Sequence, residues 1–116
     1  MVRTHWYEAV RKLFERYDYF VLPTAQVFPF DVSLDWPKEI ADEKMQTYHE
    51  WMKVAIVITM SSCPAAAVPA GFTAQGLPMG LQLVAPIHAE LACLQLAHAY
   101  DKATCWPTKR MPKLLS

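Results

Sequence analysis

From Cys63 to Pro86 the chain reads CPAAAVPAGFTAQGLPMGLQLVAP, and no other stretch limits the possible folds so tightly. Two apolar runs, Ala65 to Pro69 and Met79 to Ala85, flank a segment that carries Gly71, Gln75, Gly76 and Pro78. Such residues turn a backbone, because glycine reaches positive φ without a Cβ clash and proline presets its own φ. The pattern predicts a β-hairpin with strands at 65–69 and 79–85. A strand with one face in water alternates apolar with polar residues, yet LQLVA has only Gln82 as polar and AAAVP has nothing polar. Both faces of the hairpin are therefore expected to be covered, with the hairpin inside a sheet. From Val54 to Tyr100 the only Asp, Glu, Lys or Arg is Glu90, which is the composition of a protein core.

With 116 residues the chain holds at most one domain, large enough to bury roughly two-thirds of its unfolded surface. Acidic and basic residues are equal at eleven each, so no net field recruits nucleic acid or an anionic membrane. A hydrophobic content of 53% excludes disorder. Pro64, Pro69, Gly71, Gly76, Pro78 and Gly80 interrupt the long uncharged run, so it does not read as a membrane helix. The N-terminal MVRTHWYEAVRKLFERYD mixes acids and bases and lacks the apolar core of a signal peptide. Cys63, Cys93 and Cys105 are odd in number and lack metal-ligand spacing, so they are expected to be reduced thiols in a cytoplasmic protein.

Around the hairpin the pattern predicts an α/β chain: the hairpin and one further strand, packed by three helices at about 4–17, 42–60 and 88–103. Val2, Trp6, Val10, Leu13, Phe14 and Tyr17 recur at helical spacing, opposite Arg3, Arg11, Lys12, Glu15 and Arg16. YFVLP, ended by Pro23, reads as a buried strand near 19–22. Residues 24–40 form a long irregular segment, either a surface meander pinned by Trp36 or a pocket lining. Asp42 and Glu43 suit a helix start, with Met45, Tyr48, Met52 and Ile56 as the buried stripe. The following VAIVITM is β-branched enough to be a strand, but helical spacing before it and no breaker until Pro64 favour a helix. The last helix places Leu91, Leu94, Ala97 and Tyr100 inward, Glu90 in its first turn and Lys102 near its end. The tail from Thr104, with Pro107, Lys109, Arg110, Pro112 and Lys113, reads as loosely held.

Side chains that could carry chemistry read mainly as structure. Ser61, Ser62 and Cys63 resemble a nucleophile cluster and Lys53 a base, but residues 53 and 61 on one helix lie about 12 Å apart along its axis, beyond hydrogen-bond reach. Small residues ending a buried helix before Pro64 explain them better. His5, His49, His88 and His98 show no metal-ligand intervals, and the glycines form no phosphate-cradling loop. No catalytic residue, metal site or cofactor is expected on this chain.

Four segments together, YDYFVLPT, YHEWMKVAIVITMSSCP, CPAAAVPAGFTAQGLPMGLQLVAP and AELACLQLAHAYDKAT, resemble the C-terminal part of the amidase signature family. The resemblance runs from Tyr7 to Trp106, and Tyr48, Trp51 and Met52 look like the family's aryl- and alkylamide-hydrolysing branches. It implies hydrolysis of carboxamides by a serine nucleophile, a second serine and a lysine base. All three lie in the family's N-terminal and central portion, and none is matched here. Ser61 and Ser62 align with small residues ahead of the family's proline. The resemblance implies that the C-terminal portion supplies strands to a short mixed sheet covered by helices and part of an acyl pocket, for which Trp36, Met52 and Ile56 are the candidate lining. The glutamine-acting branch carries an acid on the helix matching 48–60, where this chain has Lys53 and no acid between Trp51 and Met60. A small apolar or aryl amide is the implied substrate. The expected partner is an N-terminal amidase portion or a second copy in a homo-oligomer. A stand-alone interaction module that kept the architecture without the chemistry is the alternative.

Overall fold

The computed structural model describes residues 2–112. Helix α1, Val2–Leu13, opens the fold, and strand β1, Phe20–Pro23, follows it. A two-stranded ribbon, β2 (Glu39–Ile40) and β3 (Glu43–Lys44), leads through a 3₁₀ turn, Tyr48–Met52, into helix α2, Lys53–Ser61. The hairpin is β4 (Ala65–Phe72) and β5 (Pro78–Val84), and helices α3 (Glu90–Thr104) and α4 (Trp106–Lys109) complete the order. The main sheet has the order β1-β5-β4. Both of its pairings are antiparallel, in place of the expected mixed sheet.

The hairpin forms where the sequence puts it because its turn is locally bonded. Thr73 N–H donates to Leu77 O at 2.9 Å, Gly76 N–H to Thr73 O at 2.9 Å, and Gly76 takes φ 86°, where a side chain would be strained. β5 is the centre of the sheet and of the core. Val84 is 0% exposed and Leu83 3%. Residues alternate between faces, and the buried Gln82 reaches α2 from one face by donating to Pro23 O at 2.9 Å and Val54 O at 3.4 Å. On the other face Leu83 and Val68 are buried, and α3 packs on both hairpin strands, with its Cys93 also buried. Helix α1 docks on α2, where the Trp6 indole N–H donates to Val57 O at 2.7 Å.

The register fixes which backbone groups remain at the free edge of β4. Thr24 N–H donates to Gly80 O at 3.0 Å, so the backbone of Gly80 points toward β1. Its partner across the hairpin is Pro69, whose own backbone must then point outward, as must those of Ala67 and Ala65 two and four residues earlier. Proline has no N–H to leave unpaired at that edge. Its carbonyl accepts the Tyr100 hydroxyl at 2.8 Å.

Several expectations need correction. Residues 42–60 are not one helix: Ala41 and Asp42 sit at φ 50° and 65° in the tight turn joining β2 to β3, and α-helix starts only at Lys53. A type I′ hairpin turn needs positive φ at both central residues, and Ala-Asp gives no glycine or asparagine signal for it. β1 is a half-exposed edge strand, with Val21 48% exposed, because it pairs only with β5. The face of β4 bearing Ala65, Ala67 and Pro69 is exposed, so this hairpin strand is not covered on both sides. On α3, Leu91 and Leu94 point to solvent at 70% and 63% exposure, whereas Cys93 is the buried contact and Ala97 and Tyr100 are half-buried. Val2 and Tyr17 are exposed at the ends of the α1 stripe, which ends its helix at Leu13. The tail is held as far as Arg110: Trp106 packs edge-on against Phe72 at 5.6 Å, and the Arg110 guanidinium lies over Phe72 at 4.2 Å. Lys113 lies outside the described residues.

Candidate functional site

The exposed face of β4 is one wall of an open apolar groove of about 650 Å³. Ala67 and Pro69 belong to that wall, and Phe28, Phe30, Trp51 and Met79 are also among the lining residues, none of which is charged. Its geometry follows from three ties. Thr24 is joined to Gly80 through the backbone, and an added Cβ on Gly80 would meet Thr24 Oγ1 at 2.8 Å, so only glycine lets the segment 24–30 lie this close. The Gln26 side-chain carbonyl accepts from Val54 N–H at 3.1 Å, satisfying a free donor at the start of α2. Phe30 meets the Trp51 ring edge-on at 5.5 Å, which fixes the far end of the segment.

Behind Trp51 lies an aromatic cluster. Tyr48 packs edge-on against Trp51 at 6.0 Å and against Trp36 at 5.9 Å, with Lys38 Nζ over the Trp36 ring at 2.9 Å. The indole N–H groups of Trp36 and Trp51 are both buried without a partner among the described residues. Trp36 is thus half-buried in this cluster and is not on the groove wall. Met52 ends the 3₁₀ turn and Ile56 lies on α2, both half-buried and neither lining the groove. The residues that do line it include Phe28, Phe30, Trp51 and Met79. Their signal in the sequence is VFPF, an apolar run inside an otherwise polar irregular segment.

The groove offers contact and shape without a nucleophile. Ser61 is fully buried, and its hydroxyl donates to Ile58 O at 2.6 Å and accepts from Cys63 N–H at 3.2 Å, so it closes the end of α2. Ser62 follows at φ 62°, where its hydroxyl accepts from Arg3 at 3.3 Å. Lys53 begins α2 and Ser61 ends it. The four histidines are exposed. Among the described residues two groups titrate away from their ordinary ranges, and both are exposed. The Ser33 hydroxyl and backbone N–H hold the Asp31 carboxyl below its usual value, and hydrogen bonds to Glu8 and Glu15 raise Arg11. Neither faces the groove.

Known proteins resemble both the sequence and the fold. The Amidase family profile matches residues 1–94. The chain is 35% identical over 105 residues to a glutamyl-tRNA(Gln) amidotransferase subunit of Thermodesulfovibrio yellowstonii, covering 90% of this chain and 20% of that protein. It is 32% identical over 109 residues to the protein of the same name from a Picosynechococcus strain, covering 94% of this chain and 21% of the relative. Among solved structures, a bacterial aryl acylamidase of the amidase signature family superposes with a TM-score of 0.82 at 27% identity, over 90% of this chain and 22% of its own. A second, from a vestigial protein complex bearing on the origins of an s-triazine catabolic enzyme, shares the fold at a TM-score of 0.78 and 20% identity, over 89% of this chain and 22% of its own. The chain spans about a fifth of the length of the curated relatives it matches. Among the described residues no helix is long and apolar enough to cross a membrane. With a family match extending over most of its length, the chain belongs to the amidase family and corresponds to the C-terminal portion of an amidase signature enzyme.

Proposed function

We propose that this chain serves as the C-terminal segment of an amidase. It supplies sheet core and one wall of the acyl pocket, while a larger N-terminal portion supplies the two serines and the lysine that cleave the carboxamide C–N bond. The uncharged groove between β4 and residues 24–30 carries this reading. It has the size and apolar lining of a small-molecule site, yet Ser61 is engaged in closing α2 and the Ser62 hydroxyl accepts from Arg3. On this reading the chain alone hydrolyses no amide, and the N-terminal portion is its partner. Without that portion, a second copy takes the uncovered surface. The acyl wall on this reading is Phe28, Phe30, Trp51 and Met79, with Trp36 packed behind Trp51 through Tyr48, and with Met52 and Ile56, which follow Trp51 in the chain, as further candidates.

Neutral apolar or aryl acyl groups fit a groove with no charged lining residue, since a cationic substrate would lose its water there without a counter-charge. The names of the matched relatives favour a second reading, in which the complete enzyme acts on a glutaminyl amide. One experiment separates these possibilities. Residues 7–106 replace the matching segment of a bacterial aryl acylamidase, and the chimera and the isolated chain are assayed on an aryl anilide and on glutamine. Anilide turnover by the chimera and none by the chain is the expected result. Preference for glutamine would establish the second reading. Turnover by the chain alone, lost in a Ser61→Ala, Ser62→Ala double variant, would overturn the proposal.

A further inference from the structure

We infer that Gln82 and Gln26 form a clamp on Val54 that sets the width of the groove, which makes Gln82 a positioning residue for the acyl group held there. The inference rests on the reading of the groove as an acyl pocket and adds what fixes its dimensions. Gln82 is the one polar residue in LQLVA and is 9% exposed, a position that an apolar side chain would ordinarily take. It pairs with Ala67 across the hairpin, so its side chain leaves the sheet on the same face as that of Ala67, a groove-wall residue. From there it reaches α2. Its Nε2 donates to Pro23 O at 2.9 Å and to Val54 O at 3.4 Å. Pro23 immediately precedes the lining residue Thr24, and Val54 lies three residues after the lining residue Trp51. Because Gln82 is anchored in the sheet, these bonds fix how far the start of α2, and Trp51 with it, stands from the sheet wall. Val54 is held a second time, since its N–H donates to Gln26 Oε1 at 3.1 Å and so brings the segment 24–30 onto the same residue.

The chemistry at position 82 calls for glutamine. Both partners of Nε2 are carbonyls, and a primary amide offers two N–H donors without carrying a charge into the interior. An ionised glutamate has no hydrogen to give, methionine keeps the length without a donor, and asparagine is one methylene short. Every bond of the clamp is made within this chain and Gln82 is buried, so the clamp does not depend on what covers the groove. If it is released, α2 and the sheet are free to separate. A large acyl group that touches both walls then loses contact with one of them, whereas a small one that touches a single wall does not.

The test uses the chimera in which residues 7–106 replace the matching segment of a bacterial aryl acylamidase, assayed on the 4-nitroanilides of benzoic and acetic acid. Gln82→Met is expected to raise KM for the benzoyl anilide about tenfold, and to leave its kcat and both constants for the acetyl anilide within about twofold. Gln26→Ala, at an exposed side chain, should act in the same direction and less strongly, and it decides the case if Gln82→Met does not fold. A Gln82 that only supported the fold would lower kcat for both anilides together, through loss of folded enzyme, with KM unchanged. That pattern overturns the inference, as does an unchanged benzoyl KM in the variants that fold. The chimera with both glutamines intact separates the clamp from the reading beneath it. Turnover there without the KM change in the variants overturns the clamp alone, whereas no turnover of either anilide there overturns the acyl-pocket reading and the clamp's role with it.

Discussion

β4 and β5 belong to one hairpin and are almost equally apolar, yet they end in different environments. β5 is paired on both sides, and its last three residues are buried. β4 is paired on one side, and its Ala65, Ala67 and Pro69 are exposed. Apolar composition marks surface that needs cover, and the cover need not lie in the same chain. In this protein the covered strand builds the fold, and the uncovered one builds the groove wall and the free edge.

Three substitutions probe this contrast, and the largest effect belongs to β5. Leu83→Ala empties a position that is 3% exposed between two neighbouring strands, and a loss of about 2–5 kcal/mol is expected in chemical denaturation. A loss below about 1 kcal/mol would mean that the centre of the sheet is loosely packed. Gly80→Ala comes next. Its Cβ would meet Thr24 Oγ1 at 2.8 Å and Val68 O at 3.3 Å, so about 1–3 kcal/mol should be lost as β1 or β4 shifts. Chemical shifts of residues 24–30 should move with it, since that segment is anchored at Gly80. The smallest effect belongs to Ala65→Thr on the open face of β4. A β-branched residue at an exposed strand position should change the stability of the monomer by no more than about 0.5 kcal/mol. A large loss there would show that this face is already covered in the isolated chain.

Much of the fold was legible because the signals were local. The hairpin turn carries its own glycines and proline, α1 has one apolar stripe, and α3 bears Glu90 and Lys102 at the ends that suit its dipole. Where reading failed, a distant partner or a missing marker was responsible. Glu39 to Lys44 have helix-compatible composition, and nothing in Ala41-Asp42 announces a turn at positive φ. Leu91 and Leu94 read as inward-facing because they are apolar, but Cys93 points at the sheet. That phase depends on the angle at which α3 meets the strands, which periodicity alone does not give. For the candidate site, the segment 24–40 was visible as a possible lining, whereas Trp36 was the wrong landmark within it for the groove. The groove wall is assembled by Thr24 meeting Gly80 and Gln26 meeting Val54, contacts between residues far apart in sequence.

The register of β1 also has a consequence in time. Phe20 pairs with Val84 and Pro23 with Leu81, so among the described strands β1 leaves the ribosome without its partner, which arrives only after all the chain between them has followed. β4 and β5 can zip as soon as their turn exists, but β1 must wait and then close a long loop. During synthesis Phe20 to Pro23 is therefore an apolar strand in search of an edge, and the first edge it meets need not be the right one.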